Sequence, residues 1–410
     1  MTTAESPAPS GSILRLPAFR AILAAQFISV FGDFLALFGI ISYITFRLHG
    51  NAVQVTTVNI AYILPLALVG PLMGVVVDRL NVKQTMIASD LIRAGLALLL
   101  LFARTVPQIA AVLLTLSVVS CLFIPAQSIT VRTLIPRDEL LKANAMLSQA
   151  FYLIRIVSPL AAGAIVALLG FQVTFYLDAA SFAFSAVMIS TLTIQRPPRE
   201  NADKTLAGLG RDFLEGNRFI FTHSGLSFVF LAMAVAMFVL SSFSPLISLF
   251  VRDQLHAGVF LFGVVSAMVG VGLIVSTTVL IRLSGGKSEP RVVVLYGMAT
   301  LGLATAVLGF SNYAWLAAVS TFLMGFAVAL VLVPAQTMSQ KETPHEMVGR
   351  VSSTFMSLIS LAQILGLLLS GTLAERLGMR HLFLSCSVVL GLIAVGGWMF
   401  LRRRPSPSAM

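Results

Sequence analysis

Two charges stand where charge is expensive. Asp33 lies at the middle of the apolar run 19–46, and Arg155 at the middle of the run 143–169. A charge at mid-membrane depth costs at least a few kcal/mol, so it marks a transport path, a proton relay or a buried pair. A carboxylate there can bind and release a proton, which makes Asp33 the candidate proton-coupling group with Arg155 as its candidate partner. The plainer reading is a static ion pair that holds two helices together. Other intramembrane charges have quieter readings. Asp178 lies about 9 Å into the run 172–194 at 1.5 Å per residue, and reads as structural. Asp90 and Arg93 are one helical turn apart and read as a local salt bridge. The second half of the chain has no acid deep in any apolar run, so a coupled proton falls to the first half.

Uncharged polar residues inside apolar runs are candidates to line a substrate cavity: Gln26, Asn59, Ser241, Ser242, Ser244 and Gln336. Serines in such helices also commonly bond their own backbone. The 29 Phe and 16 Met suit an adaptable apolar cavity, and equally suit helix packing and lipid contact. Enzyme chemistry finds no constellation. Gly285-Gly286-Lys287 lacks the upstream glycine and the strand–helix setting of a phosphate-binding loop. His49, His223, His256, His345 and His381 are far apart, at loops and run ends, without metal-ligand spacing. Cys121 and Cys386 both fall in apolar runs and read as small packing residues. Neither a metal nor a cofactor is expected, and without a nucleotide-binding domain any transport draws on an ion gradient or runs passively.

The elements that must position these residues are long and apolar. Hydrophobic residues make up 58% of the chain and charged residues 10%, with a mean hydropathy of +0.96. A soluble domain carries about 25% charged residues, which excludes a water-soluble protein. Twelve runs reach the roughly 20 residues a bilayer crossing needs: 19–46, 52–77, 84–103, 107–131, 143–169, 172–194, 224–251, 258–282, 291–310, 314–339, 348–373 and 382–401. The net charge of +11 could suggest nucleic acid, but its placement argues for topology. With loops assigned to alternating sides, 20 Lys and Arg fall on the side of the N-terminus, 5 on the other, and Arg93 and Arg155 within helices. The excess of positive charge marks the cytoplasmic side, so both termini are expected in the cytoplasm. Attraction to anionic membrane lipids is compatible with the same charges. No cleavable signal peptide is expected, because the first run is too long and Asp33 interrupts it.

The chain repeats itself. Pro125-Ala126-Gln127-Ser128 matches Pro334-Ala335-Gln336-Thr337 at an offset of 209, and Pro136 matches Pro344 at 208. Leu160, Gly163 and Gly170 match Leu368, Gly371 and Gly378, again at 208. Matches in one order at nearly one spacing indicate duplication. The longest polar stretch, about 195–223, separates the halves; its 212–220 part has the pattern of a short helix lying along the membrane, or of a solvated linker.

Two six-span halves resemble the major facilitator superfamily, and within it the macrolide-efflux and enterobactin-exporter type of bacterial exporter. Four stretches carry the resemblance. Gly74-Val75-Val76-Val77-Asp78-Arg79, with Lys83, is similar to the superfamily's signature loop between spans two and three, with Asn81 in place of its second glycine. By this resemblance Gly74, Asp78, Arg79 and Lys83 form a conformational latch, in which the carboxylate faces a helix N-terminus or Arg132. Pro125 to Met146 is similar to the subgroup's loop between spans four and five. Ser158-Pro159 and Gly163 resemble the exporters' proline-glycine motif in degraded form, where small residues allow close helix packing. Gly32-Asp33 is also typical of the subgroup.

The resemblance implies an all-α membrane protein of twelve transmembrane helices in two pseudo-symmetric halves. The expected division is a disordered cytoplasmic N-tail at 1–15, a first half at 16–194, a cytoplasmic linker at 195–223, a second half at 224–401 and a C-tail at 402–410. The first and fifth helices of a half are neighbours in this fold, so Asp33 and Arg155 are expected close together. The implied function is proton-coupled export, by alternating access, of a small amphipathic compound such as a drug, macrolide or siderophore. Its partners would be that substrate, protons and membrane lipids, with no nucleic acid; a monomer in the bacterial cytoplasmic membrane is the family's default. An importer or lipid flippase of the same fold, and a non-transporting sensor or assembly partner, are the alternatives.

Overall fold

The computed structural model describes residues 13–77, 79–194, 218, 220, 222, 224–283, 289–343 and 347–402. Most of the expected surface helix at 212–220, most of the linker, Asp78 and most of both tails lie outside the described residues.

Helix after helix runs the depth of a bilayer. The first half holds α1 (Pro17–Ser42), α2 (Ala52–Leu68), α3 (Gly70–Val77), α4 (Val82–Leu99), α5 (Val106–Leu134), α6 (Leu140–Leu169) and α7 (Gln172–Ser190). The second holds α8 (Ser224–Phe243), α9 (Leu246–Asp253), α10 (Val259–Leu283), α11 (Pro290–Phe310), α12 (Ala314–Glu342), α13 (Val348–Leu377) and α14 (Met379–Arg402). Among the described residues ten helices are long and apolar enough to cross a membrane. The other two expected spans are present in altered form. The second breaks at Val69, where Gly70-Pro71 interrupts the amide ladder between α2 and α3. The third, α4, carries Lys83, Asp90 and Arg93 within 18 residues. The seventh also departs from a single run, breaking at Ser244-Pro245 into α8 and α9.

Packing repeats between the halves. α1 packs on α6 as α8 does on α13, α4 on α7 as α11 on α14, and α2 on α5 as α10 on α12. α6 and α13 are both 30 residues long and both end at a glycine with positive φ, Gly170 at +88° and Gly378 at +82°. Only glycine takes that conformation without a Cβ penalty, so the matched glycines mark the same helix stop twice. The duplication reaches further than the sequence comparison. Leu48-His49 and Leu255-His256 are matched, His49 and His256 both have left-handed backbones, and the amides of Gly50 and Ala257 bond Ile44 and Val251 six residues back.

The halves meet along two helix pairs, α6 with α10 and α2 with α13. A Cβ on Gly163 would stand 2.9 Å from the Cα of Gly263, and one on Gly371 would strike Thr56. A third contact closes the end away from the chain termini. Thr45 and Ser248 hydroxyls lie 2.9 Å apart, and Arg252 Nη1 donates to the carbonyls of Thr45 at 2.6 Å and Gly50 at 3.0 Å.

Candidate functional site

Small residues on α1 bring α7 close. A Cβ on Gly32 would strike the Ser181 hydroxyl and stand 2.9 Å from Asp178 Oδ1; one on Gly39 would strike Thr174. This approach seats Asp178 against the turn of α1 that carries Asp33. From α4, Arg93 enters the same space: its Nη1 lies 4.0 Å from Asp33 Oδ2, and its Nη2 donates to Asp90 Oδ1. The Arg93 guanidinium is clamped between two rings, 4.4 Å from the centroid of Phe123 and 4.3 Å from that of Phe182. A cation between two ring faces keeps part of the stabilisation it loses by leaving water. The result is a cluster of three carboxylates around one guanidinium, drawn from α1, α4 and α7.

Its members differ in access. Asp90 and Asp178 are fully buried, whereas the Asp33 side chain is 16% exposed. Asp178 Oδ2 and Arg93 Nε have no hydrogen-bond partner among the described residues. Asp33 is therefore the least buried of the three carboxylates.

Arg155 is elsewhere. Asp33 pairs with Arg93, and among the described residues no ion pair joins Asp33 to Arg155. The expected pair fails because α1 turns Asp33 toward α4 and α7, while α6 presents Arg155 as an exposed side chain at its midpoint. Below it α6 lines a cavity of about 440 Å³ with α1 and α5, at the end of the bundle that holds the chain termini. Gln26, Gln127, Arg132, Asn144, Ser148 and Tyr152 are among its walls, and Gln127 Nε2 donates to Gln26 Oε1 at 2.7 Å. The volume is in the range of sites for small organic molecules.

Of the other cavity candidates, none lines this space. Asn59 is buried and donates to Val55 O; Ser242 is buried and donates to Phe238 O and Gly366 O. Ser241 is buried, Ser244 is exposed at the break between α8 and α9, and Gln336 is half-buried on α12. Backbone carbonyls one helical turn away satisfy such side chains and draw them from a cavity. Of the latch residues, Gly74 lies on α3, Arg79 is exposed in the following turn, and Lys83 Nζ donates to Ser190 O at 2.6 Å at the end of α7. Arg132 lines the cavity. Ser158 is buried against neighbouring helices, and Pro159 and Gly163 approach Gly263 of α10.

Sequence reasoning paired Asp90 with Arg93, as observed, but set that pair and Asp178 apart from Asp33 and missed that all four meet. The available signal was that five intramembrane charges, Asp33, Asp90, Arg93, Arg155 and Asp178, fall in one half, with the small Gly32 beside Asp33.

The chain matches the transmembrane secretion effector family over residues 8–407. It belongs to that family. Family relatives include the MFS-type transporter YfiS of Bacillus subtilis (strain 168), 28% identical over 92% of each chain. Macrolide efflux protein A of Streptococcus pyogenes is 26% identical over 92% of this chain and 94% of its own. Among solved structures, a bacterial homologue of the human lysosomal transporter Spinster, inward-facing and unoccupied, superposes with a TM-score of 0.71. It is 15% identical and covers 97% of this chain and 100% of its own, a likeness of fold. This member of the family is thus a multi-pass bacterial membrane transporter of the major facilitator superfamily, with efflux-type relatives, and not an enzyme.

Proposed function

We propose that the protein is a proton-coupled antiporter that exports a small amphipathic compound across the bacterial cytoplasmic membrane as a monomer, with both termini in the cytoplasm. The halves, 16–194 and 224–401, rock about the α6–α10 and α2–α13 contacts, joined by a cytoplasmic linker. The observation that carries the proton assignment is the part-exposed Asp33 at the edge of a buried cluster of three carboxylates and one guanidinium. With every member ionised, that cluster would hold two negative charges in excess, and protons are what neutralise it in so apolar a setting. The efflux relatives support the outward direction.

Substrate enters the cavity from the side of the termini with Asp33 ionised and held by Arg93. After the halves rock, a proton from the far side takes the Asp33 carboxylate. Arg93 then turns to Asp90 alone, the hold of α1 on α4 loosens, and the substrate leaves. Transmembrane charges in such positions commonly serve proton relays. The test is efflux of several amphipathic dyes from vesicles holding the purified protein, with and without an imposed pH gradient. Gradient-dependent efflux is expected; dye movement indifferent to the gradient would remove proton coupling.

A further inference from the structure

Arg155 has no carboxylate opposite it. Along α6, Asn144, Ser148, Phe151 and Tyr152 face the cavity, whereas Met146, Gln149 and Leu153 share the opposite surface with Phe27 and Ile28 of α1. Arg155 is seven residues from Ser148, four from Phe151 and three from Tyr152, which puts it on the cavity face at the head of that stripe. It is exposed, and among the described residues no ion pair or hydrogen bond engages its guanidinium. The described acids of the second half, Asp253, Glu289, Glu342 and Glu375, lie at helix ends, far in sequence from any span centre. The acids of the first half that reach this depth are gathered around Arg93. A free guanidinium at mid-membrane, facing a cavity walled by amides, hydroxyls and aromatic rings, is costly for a structural element and useful for a ligand. Its fork of donors matches a carboxylate or phosphate in a bidentate pair.

We infer that Arg155 is a substrate-binding residue and that the transported compound carries an acidic group, a carboxylate or a phosphate, on an aromatic or aliphatic body. The acidic group pairs with Arg155, and the body lies along Tyr152 and Phe151 toward the cavity mouth. This deepens the export reading and rests on the cavity being the transport site. It separates two tasks within the first half: proton binding at the α1–α4–α7 cluster and substrate binding on α6.

Three probes on one skeleton test it: biphenyl-4-carboxylate, its primary amide, and biphenyl-4-methylamine. Binding to the purified full-length protein in a non-ionic detergent is read from the shift in melting temperature with probe concentration, without any gradient. The carboxylate is expected to bind most tightly. Arg155→Ala should weaken its binding roughly 10- to 100-fold, the range for a hydrogen bond to a charged group, and leave the amide unchanged. Arg155→Lys should fall between. Equal binding of the amide or amine, carboxylate binding that survives Arg155→Ala, or no carboxylate binding at millimolar concentration would each overturn the acidic-group site. Gradient-driven efflux of a cationic dye is measured beside it. If that efflux follows the gradient while the carboxylate fails to bind or binds equally well in Arg155→Ala, the export reading stands and the acidic-group site falls. If carboxylate binding depends on Arg155 while native vesicles move no dye or probe with the gradient, the site stands and proton-driven export falls.

Discussion

Asp33 and Arg93 approach to 4.0 Å across α1 and α4, and that contact links the one part-exposed carboxylate of the cluster to two that are fully buried. Arg93 cannot serve Asp33, Asp90 and Asp178 equally. It donates to Asp90 through Nη2, while its Nη1 stands 4.0 Å from Asp33, beyond hydrogen-bond reach. In the proposed cycle, a proton on Asp33 would leave the guanidinium to Asp90. The rings of Phe123 and Phe182 stand 4.4 and 4.3 Å from the guanidinium carbon.

Replacing Asp33 with Asn mimics the protonated carboxylate. Asp33→Asn should abolish pH-gradient-driven efflux while leaving gradient-independent exchange of dye across the same vesicles. Asp178→Asn, at a fully buried site, should retain at least part of the gradient response. Full gradient-driven efflux by Asp33→Asn would make Asp33 a packing residue.

Removing the cation should cost more than removing one acid. Arg93→Met leaves the carboxylates of Asp33, Asp90 and Asp178 without their cation, and breaking a buried pair in this way destabilises by about 3–5 kcal/mol. Thermal melting in detergent should show a clear fall. Adding Asp90→Asn to Arg93→Met should recover part of it, because the two side chains share one network. Arg93→Lys keeps the charge but loses the flat face that the two rings clasp, so it should melt between native and Arg93→Met.

The α6–α10 crossing leaves no room for a side chain. In Gly163→Ala the new Cβ would stand 2.9 Å from the Cα of Gly263 and 3.4 Å from its amide nitrogen, so the helices must part. A loss of about 1–3 kcal/mol in stability and slower transport are expected. Gly95→Ala is the control: nothing lies within 4 Å of its Cβ, and helix propensity alone should make it neutral or slightly stabilising. Equal melting of the two variants would show that close approach at Gly163 matters little.

The end away from the termini is closed in part by Arg252, which donates to the carbonyls of Thr45 and Gly50 in the other half. Arg252→Ala should loosen that closure. In a Ser248→Cys background, a membrane-impermeant thiol reagent added outside cells should label faster once Arg252 is replaced, since Ser248 is otherwise fully buried. Unchanged labelling would place the seal in the apolar packing around it.

Much of the architecture was legible in the amino-acid order. Length and apolarity of the runs define membrane-crossing helices because no other open element satisfies its backbone in lipid. The offset of 208 between Gly163, Gly170 and Gly371, Gly378 announced the repeat that packing and helix stops then display. Two breaks were hidden inside apolar runs, at Val69 and at Ser244-Pro245, because hydropathy is blind to a missing amide donor.

The site was legible only as a set of charges at depth. Sequence position identified Asp33 and Arg155 as intramembrane charges, since hydropathy measures depth along a helix. It did not identify their partners, because a partner depends on the angle at which each helix presents its side chain and on which helix stands opposite. Asp33 faces α4 and α7 across the small surface of Gly32, so it joins Arg93 and leaves Arg155 to the cavity. Spacing within one chain segment was enough for the Asp90–Arg93 pair, which is a property of a single helix. The meeting of α1, α4 and α7, and the unpaired face of α6, are properties of packing, and only the tertiary structure decided them.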